Sequence, residues 1–240
     1  MGARGRMGTH ACDAVRGADD LQLVAEIGSG DPLDALQGCD VAVDLTHPGV
    51  VMGHVAWCID HGVHAVVGTS GFTEQRLRDV RAWLGESPEI GVLVVPNLSI
   101  GAVLMMRFAA EAAGFFESVE IVEMHHPEKR DAPSGTALRT AQLIADARRQ
   151  ADVGPAPDAT ESDDLGARGG CAAGVSVHSL RVRGAVAHQE VVLGNTGETL
   201  TIRHDMLDRA ATMPGLLASV RAVRSLPGLT VGLDAVLGLD

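Results

Sequence analysis

Two adjacent imidazoles, a lysine and a helix start fall within one short stretch, Glu123-Met124-His125-His126-Pro127-Glu128-Lys129-Arg130-Asp131-Ala132-Pro133-Ser134-Gly135-Thr136-Ala137. His125 and His126 can take up or release a proton near neutral pH, and Lys129 carries a compact positive charge. Pro127 and Pro133 fix their own φ and restrict the residue before them, so the segment reads as a rigid turn. Ser134 is a good N-cap, and Ala137, Ala141, Ile144 and Ala145 recur behind it at helical spacing. The N–H groups of Gly135, Thr136 and Ala137 then form an anion cradle at a helix N-terminus. A cation, two titratable rings and that cradle on one loop make a reaction-site layout for an acidic small molecule. Each element alone has an ordinary explanation: a surface histidine, a solvated lysine, a capping serine. Their joint occurrence carries the reading. No metal site is expected, because adjacent histidines rarely aim both rings at one ion and no cysteine lies close in sequence.

The elements that must position this loop come in two sets. The chain opens Met1-Gly2-Ala3-Arg4-Gly5-Arg6-Met7-Gly8, with a helix expected over Thr9–Arg16. Glycines at three-residue spacing before a helix resemble the phosphate-cradling turn of a dinucleotide-binding βαβ unit, although the strand that should precede them is missing. The expectation is that the natural protein carries a few more apolar residues upstream. Strands are expected at Leu21–Glu26, Val41–Leu45, His64–Val67 and Val92–Val95, alternating with helices at 49–60 and from the Thr73 cap to Leu84, with Leu77, Val80 and Leu84 facing inward. Alternating strands and helices predict an open parallel sheet covered on both faces, with ligands at the carboxyl ends of its strands. Glu26 and Asp31 are the candidate acids for the adenosine ribose, while Arg4 and Arg6 could meet a 2′-phosphate or be solvated loop charges.

Beyond Ile100 the pattern changes to a helix reaching about Phe115, a strand at Val119–Met124, the central loop, and a helix over Gly135–Gln150. Residues 151–174 read as a long exposed loop. Strands at Val175–Arg181, Ala187–Leu193 and Thr199–Asp205 follow, the last two joined by a hairpin through Gly194–Glu198. They predict an α+β second domain. A tail with a helix at Leu216–Ser225 and a strand at Leu229–Val231 is expected to pack back onto the first domain. The domains are thus 1–99 with 207–240, and 100–206.

The totals fit this plan. The chain has 240 residues, no Tyr, two Trp and four Phe, so its core must be built from Val, Leu, Ile and Ala, as buried parallel strands are. A net charge of -12 argues against nucleic acid and anionic membrane as partners. Cys12, Cys39, Cys58 and Cys171 lack CxxC spacing and read as reduced, buried thiols of a cytoplasmic protein. No apolar run approaches the roughly 18 residues that would span a bilayer.

The loop Glu123–Ala137 closely resembles the signature of the 4-hydroxy-tetrahydrodipicolinate (dihydrodipicolinate) reductase family of the bacterial and plant lysine–diaminopimelate route. Supporting stretches are Gly2-x-x-Gly5-x-x-Gly8, Asp44–Pro48, Gly68–Phe72, Pro96–Gly101, Arg168-Gly169 and Ala187–Gly194. The resemblance implies an α/β Rossmann-type nucleotide domain completed by the C-terminal tail, and an α+β substrate domain that assembles a homotetramer. It implies His125 as general acid/base, Lys129 as proton donor, and His126 with the Gly135-Thr136 backbone as holders of the carboxylates of a small dicarboxylate substrate. It implies NADPH or NADH along Gly2, Gly5, Arg6 and Met7, with Gly68, Thr69, Ser70, Val95, Pro96, Asn97 and Leu98 at the nicotinamide end. Two other readings stand beside it: a related two-domain nicotinamide oxidoreductase acting on another small acid, and a nucleotide-binding sensor without turnover.

Overall fold

The computed structural model describes residues 1–239. The chain divides into two compact units, Met1–Ile100 with Arg209–Asp240, and Gly101–Asp208.

The first unit is built on four parallel strands: β1 (Val41–Asp44), β2 (His64–Val67), β3 (Gly91–Val94) and β9 (Gly228–Val231), in the order β1-β2-β3-β9. β3 is buried along its whole length and β2 nearly so, because helices cover parallel strands and leave no face for alternating polar residues. Helix α1 (Arg6–Arg16) packs against α6 (Met213–Ala222), and α2 (Val51–Asp60) against α3 (Glu74–Leu84). Thr73 caps α3, its hydroxyl accepting from Arg76 N–H at 3.3 Å, and Leu77 and Val80 are buried beneath it while Leu84 is half-buried. The tail strand β9 pairs with β3 in register Gly91↔Gly228.

Two expectations fail at the N-terminal end of this unit. Helix α1 begins at Arg6, three residues earlier than the apolar spacing suggested, because Gly5 is already the N-cap. Leu21–Glu26 belongs to no helix and no ladder. A groove of about 690 Å³, lined by Leu21–Ala25, Val41–Val43, Cys12 and Leu36, separates that segment from β1. A strand exists only through its partner's hydrogen bonds, so the apolar composition of Leu21–Ala25 is not sufficient. At the end of the groove Met1 makes one step of a parallel ladder: its ammonium donates to Val43 O at 2.7 Å, and its carbonyl accepts from Leu45 N–H at 3.1 Å.

The second unit is a five-stranded mixed sheet in the order β5-β6-β4-β7-β8, formed by β4 (Ser118–His125), β5 (Gly170–Ala172), β6 (Val175–Arg181), β7 (Ala187–Asn195) and β8 (Glu198–Met206). β5 lies inside the stretch expected to be all loop; three residues were too short to leave a periodic signal. It also places Cys171 in the open, correcting the expectation that all four thiols are buried; Cys39 is half-buried as well. β7 and β8 turn through Thr196-Gly197, where Gly197 has φ 87°. Helices α4 (Ile100–Ala113) and α5 (Gly135–Gln150) complete the unit. α5 is anchored at both ends. Ser134 Oγ accepts from Ala137 N–H at 3.1 Å, and the buried Arg148 guanidinium donates to the carbonyls of Phe116, Glu117 and Gly154.

Candidate active site

β4 delivers the loop. Val119, Ile121 and Glu123 share its buried face, and the strand ends at His125, where Pro127 forbids a further ladder bond. A turn follows, with Lys129 N–H donating to His126 O at 3.2 Å, and Ser134 then starts α5. His125 Nδ1 and the N–H of Ser134, the N-cap of α5, both meet the Glu123 carboxylate. Lys129 is close enough that its charge acts on the His125 ring. Its ammonium is held by both oxygens of Asp131, at 2.8 and 2.9 Å. His126 Nδ1 lies 3.1 Å from a Glu128 oxygen. Around Gly135 there is open space: a Cβ built there meets nothing within 4 Å. Thr136 contributes its carbonyl to the Thr140 hydroxyl at 2.8 Å, which steadies the first turn.

Two residues here were not singled out by sequence reasoning. Glu123 is fully buried, and its carboxylate accepts from His125 Nδ1 at 2.5 Å and from both arms of Arg181 at 2.9 and 3.0 Å. The signal for Glu123 was present: an acid in phase with Val119 and Ile121 on a buried face needs partners. Arg181 carried no comparable signal, since its place opposite His125 in β6 follows from strand register. Burial opposes ionisation of Glu123, but hydrogen bonds from Arg181, Ser179 and His125 outweigh it and hold the carboxyl below its usual range. The His125 ring is pushed down by burial and pulled up by Glu123, with a net lowering.

The first unit supplies the other candidate residues, all at the carboxyl ends of its strands or at the start of α1. Gly2 has φ 81°, and a Cβ there would stand 2.6 Å from Leu45 O; one on Gly8 would stand 2.0 Å from Gly2 O. Only glycine lets this turn close so tightly. The α1 N-terminus has no side-chain cap, and Gly5, Arg6 and Met7 present its backbone at the surface or just below it. An uncapped helix start behind a tight glycine turn fits a dinucleotide pyrophosphate. Gly68 lies between Leu45 and Leu98, a Cβ there reaching 2.7 Å from the former and 3.0 Å from the latter. Ser70 and Pro96 are exposed and Asn97 half-exposed, whereas Val95 and Leu98 are buried and can offer only backbone. The ribose candidates are engaged: Glu26 pairs with Arg16, and Asp31 with Arg4 at 2.9 Å across Gly28, while Arg6 is exposed.

Thr69 is buried and commits its hydroxyl to Asp44, a donor–acceptor distance of 2.5 Å. Asp44 also accepts from Thr46 N–H and Oγ1 and sits 2.6 Å from His54 Nδ1. Burial pushes its carboxyl up, but bonds from Thr69, Thr46 and His54 prevail and hold it below the ordinary value. Asp44→Asn is therefore expected to destabilise the protein by about 2–3 kcal/mol at neutral pH. A depressed carboxyl contributes stability above its unfolded pKa, near 3.9, and loses it as pH falls through the folded one. The gap between variant and wild type in urea unfolding should thus close only below about pH 4.

Comparison with known proteins decides the family. The description "Dihydrodipicolinate reductase, N-terminus" matches residues 1–98, and "Dihydrodipicolinate reductase, C-terminus" matches residues 101–237. The chain belongs to the dihydrodipicolinate reductase family. A 4-hydroxy-tetrahydrodipicolinate reductase of Nocardia farcinica is 59% identical over all of this chain and 97% of its own length. One from Streptomyces avermitilis is 56% identical, with the same coverages. Among solved structures, the dipicolinate-bound dihydrodipicolinate reductase from Paenisporosarcina sp. TG-14 superposes with a TM-score of 0.84 at 37% identity, covering 98% of this chain and 96% of that one. Membership of the reductase family agrees with the parallel-sheet unit that the alternation of strands and helices predicted and with the α+β unit expected from the run of strands after it.

Proposed function

We propose that this chain reduces the dihydropyridine dicarboxylate of lysine and diaminopimelate biosynthesis, 4-hydroxy-tetrahydrodipicolinate or its dehydrated form, to tetrahydrodipicolinate. The observation that carries the proposal is the loop from His125 to Thr136, in which a proton carrier, an ammonium and an uncluttered helix start stand within one turn of chain. A reduced nicotinamide, NADPH or NADH, supplies the hydride when bound at the Gly2–Met7 turn, with Gly68–Ser70 and Val95–Leu98 as its further contacts.

The residues of the loop meet the rest of the chemistry. Hydride addition to the conjugated ring leaves negative charge that one proton must neutralise. Lys129 donates that proton from its ammonium, which Asp131 holds in place. His125 serves as general acid/base. His126 and the Gly135-Thr136 N–H groups hold the substrate carboxylates, the helix start favouring their charge. The choice between the nucleotides stays open at the ribose: Glu26 pairs with Arg16 and Asp31 with Arg4, while Arg6 is exposed beside the glycine turn, where its guanidinium could meet a 2′-phosphate.

Residues 1–99 with 207–240 form the nucleotide domain, and 100–206 the substrate and assembly domain. A homotetramer is favoured by β8, a nine-residue edge strand with mostly exposed side chains, Leu200 among them. Four free cysteines favour the cytoplasm, and among the described residues no helix is long and apolar enough to cross a membrane.

The test is nucleotide oxidation followed by absorbance, with enzymatically generated dihydrodipicolinate as substrate. Turnover that depends on this substrate is expected with both nucleotides. Binding of nucleotide without oxidation would favour a sensor instead.

A further inference from the structure

Glu123 joins more of the site than any other residue. It is fully buried at the end of β4. One oxygen accepts from His125 Nδ1 at 2.5 Å and from Arg181 at 3.0 Å; the other accepts from Arg181 at 2.9 Å and from Ser134 N–H at 3.3 Å. Arg181 also donates to Asp131 O at 2.7 Å, and Asp131 holds Lys129. One buried ion pair is thus bonded to the proton carrier, the start of α5 and the loop that carries the ammonium. A purely structural brace would not need to end on an imidazole. Buried charges cost several kcal/mol each to desolvate, and an apolar pair of similar volume often stabilises a fold as well.

We propose that Glu123 and Arg181 form a positioning pair that fixes which nitrogen of His125 faces the substrate and balances the charge on its ring. An ionised carboxylate only accepts hydrogen bonds, so Nδ1 carries a hydrogen whether the ring is neutral or charged. Nε2 is therefore the nitrogen that exchanges a proton, a lone pair in the neutral ring and a donor in the imidazolium. Glu123 favours the imidazolium. The Arg181 fork cancels part of that influence, and Lys129 opposes it from the loop while itself paired with Asp131. Because the two members of the pair act on the ring with opposite signs, removing one or the other must move it in opposite directions.

This role rests on the reductase reading for its kinetic consequence but not for its titration. The experiment is an NMR titration of the His125 ring in the ligand-free protein, assigned by loss of its signal in His125→Asn, together with the pH profile of kcat/KM. Glu123→Gln should lower the His125 midpoint by about one pH unit, and Arg181→Met should raise it by about as much. The double variant, which leaves no unpaired buried charge and so folds even where Glu123→Gln does not, should fall between the single variants. The limb of kcat/KM set by His125 should move with the midpoint. Midpoints that stay at the wild-type value, or that move the same way in Arg181→Met and in a variant lacking Glu123, would overturn the proposal. Opposite shifts without turnover in the unmodified protein would uphold the pair and count against the reductase reading.

Discussion

Replacing Lys129 by alanine should lower kcat by roughly 10²–10⁴-fold, the range for loss of a positioned proton donor. The Lys129 side chain is four-fifths buried and its ammonium is fixed by both oxygens of Asp131, so its position is set before any substrate arrives. Nucleotide affinity should be unchanged, because Lys129 belongs to the His125–Thr136 loop and not to the glycine turn. Lys129→Arg separates the two things a lysine can do. Arginine keeps the positive charge and should keep KM near the wild-type value. Its guanidinium does not give up a proton in proteins, so kcat should stay nearly as low as in the alanine variant. Steady-state kinetics on the three proteins checks this. A Lys129→Arg variant with near-normal kcat would mean that charge alone, and not proton donation, is what the loop provides.

Gly8→Ala should abolish nucleotide binding at working concentrations, with a loss of roughly 10²-fold or more that is equal for NADPH and NADH. The added methyl would lie 2.0 Å from Gly2 O and 2.8 Å from Ala3 Cα, both backbone atoms of the turn proposed to cradle the pyrophosphate. No side-chain rotation relieves such a clash, so the turn itself must open. Thermal stability should fall with it. Gly53→Ala is the matching control: it lies within α2, nothing stands within 4 Å of the new methyl, and alanine should stabilise by about 0.5–1 kcal/mol. Fluorescence titration with each nucleotide and thermal unfolding of both variants provide the readout. Unchanged affinity in a folded Gly8→Ala protein would remove the pyrophosphate from this turn.

What could be read from the sequence was what local chemistry decides. Thr73 and Ser134 announce their helices because a hydroxyl at an N-cap satisfies a free N–H in the same turn. The parallel strands β2 and β3 were legible because burial on both faces leaves a nearly unbroken apolar run. The His125–Thr136 loop was legible because its functional types are contiguous. Pairing between distant segments was not legible. Leu21–Glu26 has a strand's composition and no ladder, since the groove beside it sets it apart from β1. β5 owes its existence to β6 rather than to its own three residues. Arg181 meets Glu123, 58 positions away in sequence, only because β6 lies beside β4, and only the inward phase of Glu123 on β4 hinted that a cation had to be there.

The central claim, that this chain transfers hydride to a cyclic dicarboxylate with its own loop providing the proton, is tested most directly by isotope transfer. The reaction would be run with a reduced nicotinamide dinucleotide deuterated at its transferring position and freshly generated dihydrodipicolinate, and the product examined by mass spectrometry. The expected result is tetrahydrodipicolinate carrying one deuterium, formed with both nucleotides and reduced at least 100-fold in rate by Lys129→Ala. Nucleotide consumed without deuterium in the product, or no product at all from a folded protein that binds the nucleotide, would contradict it.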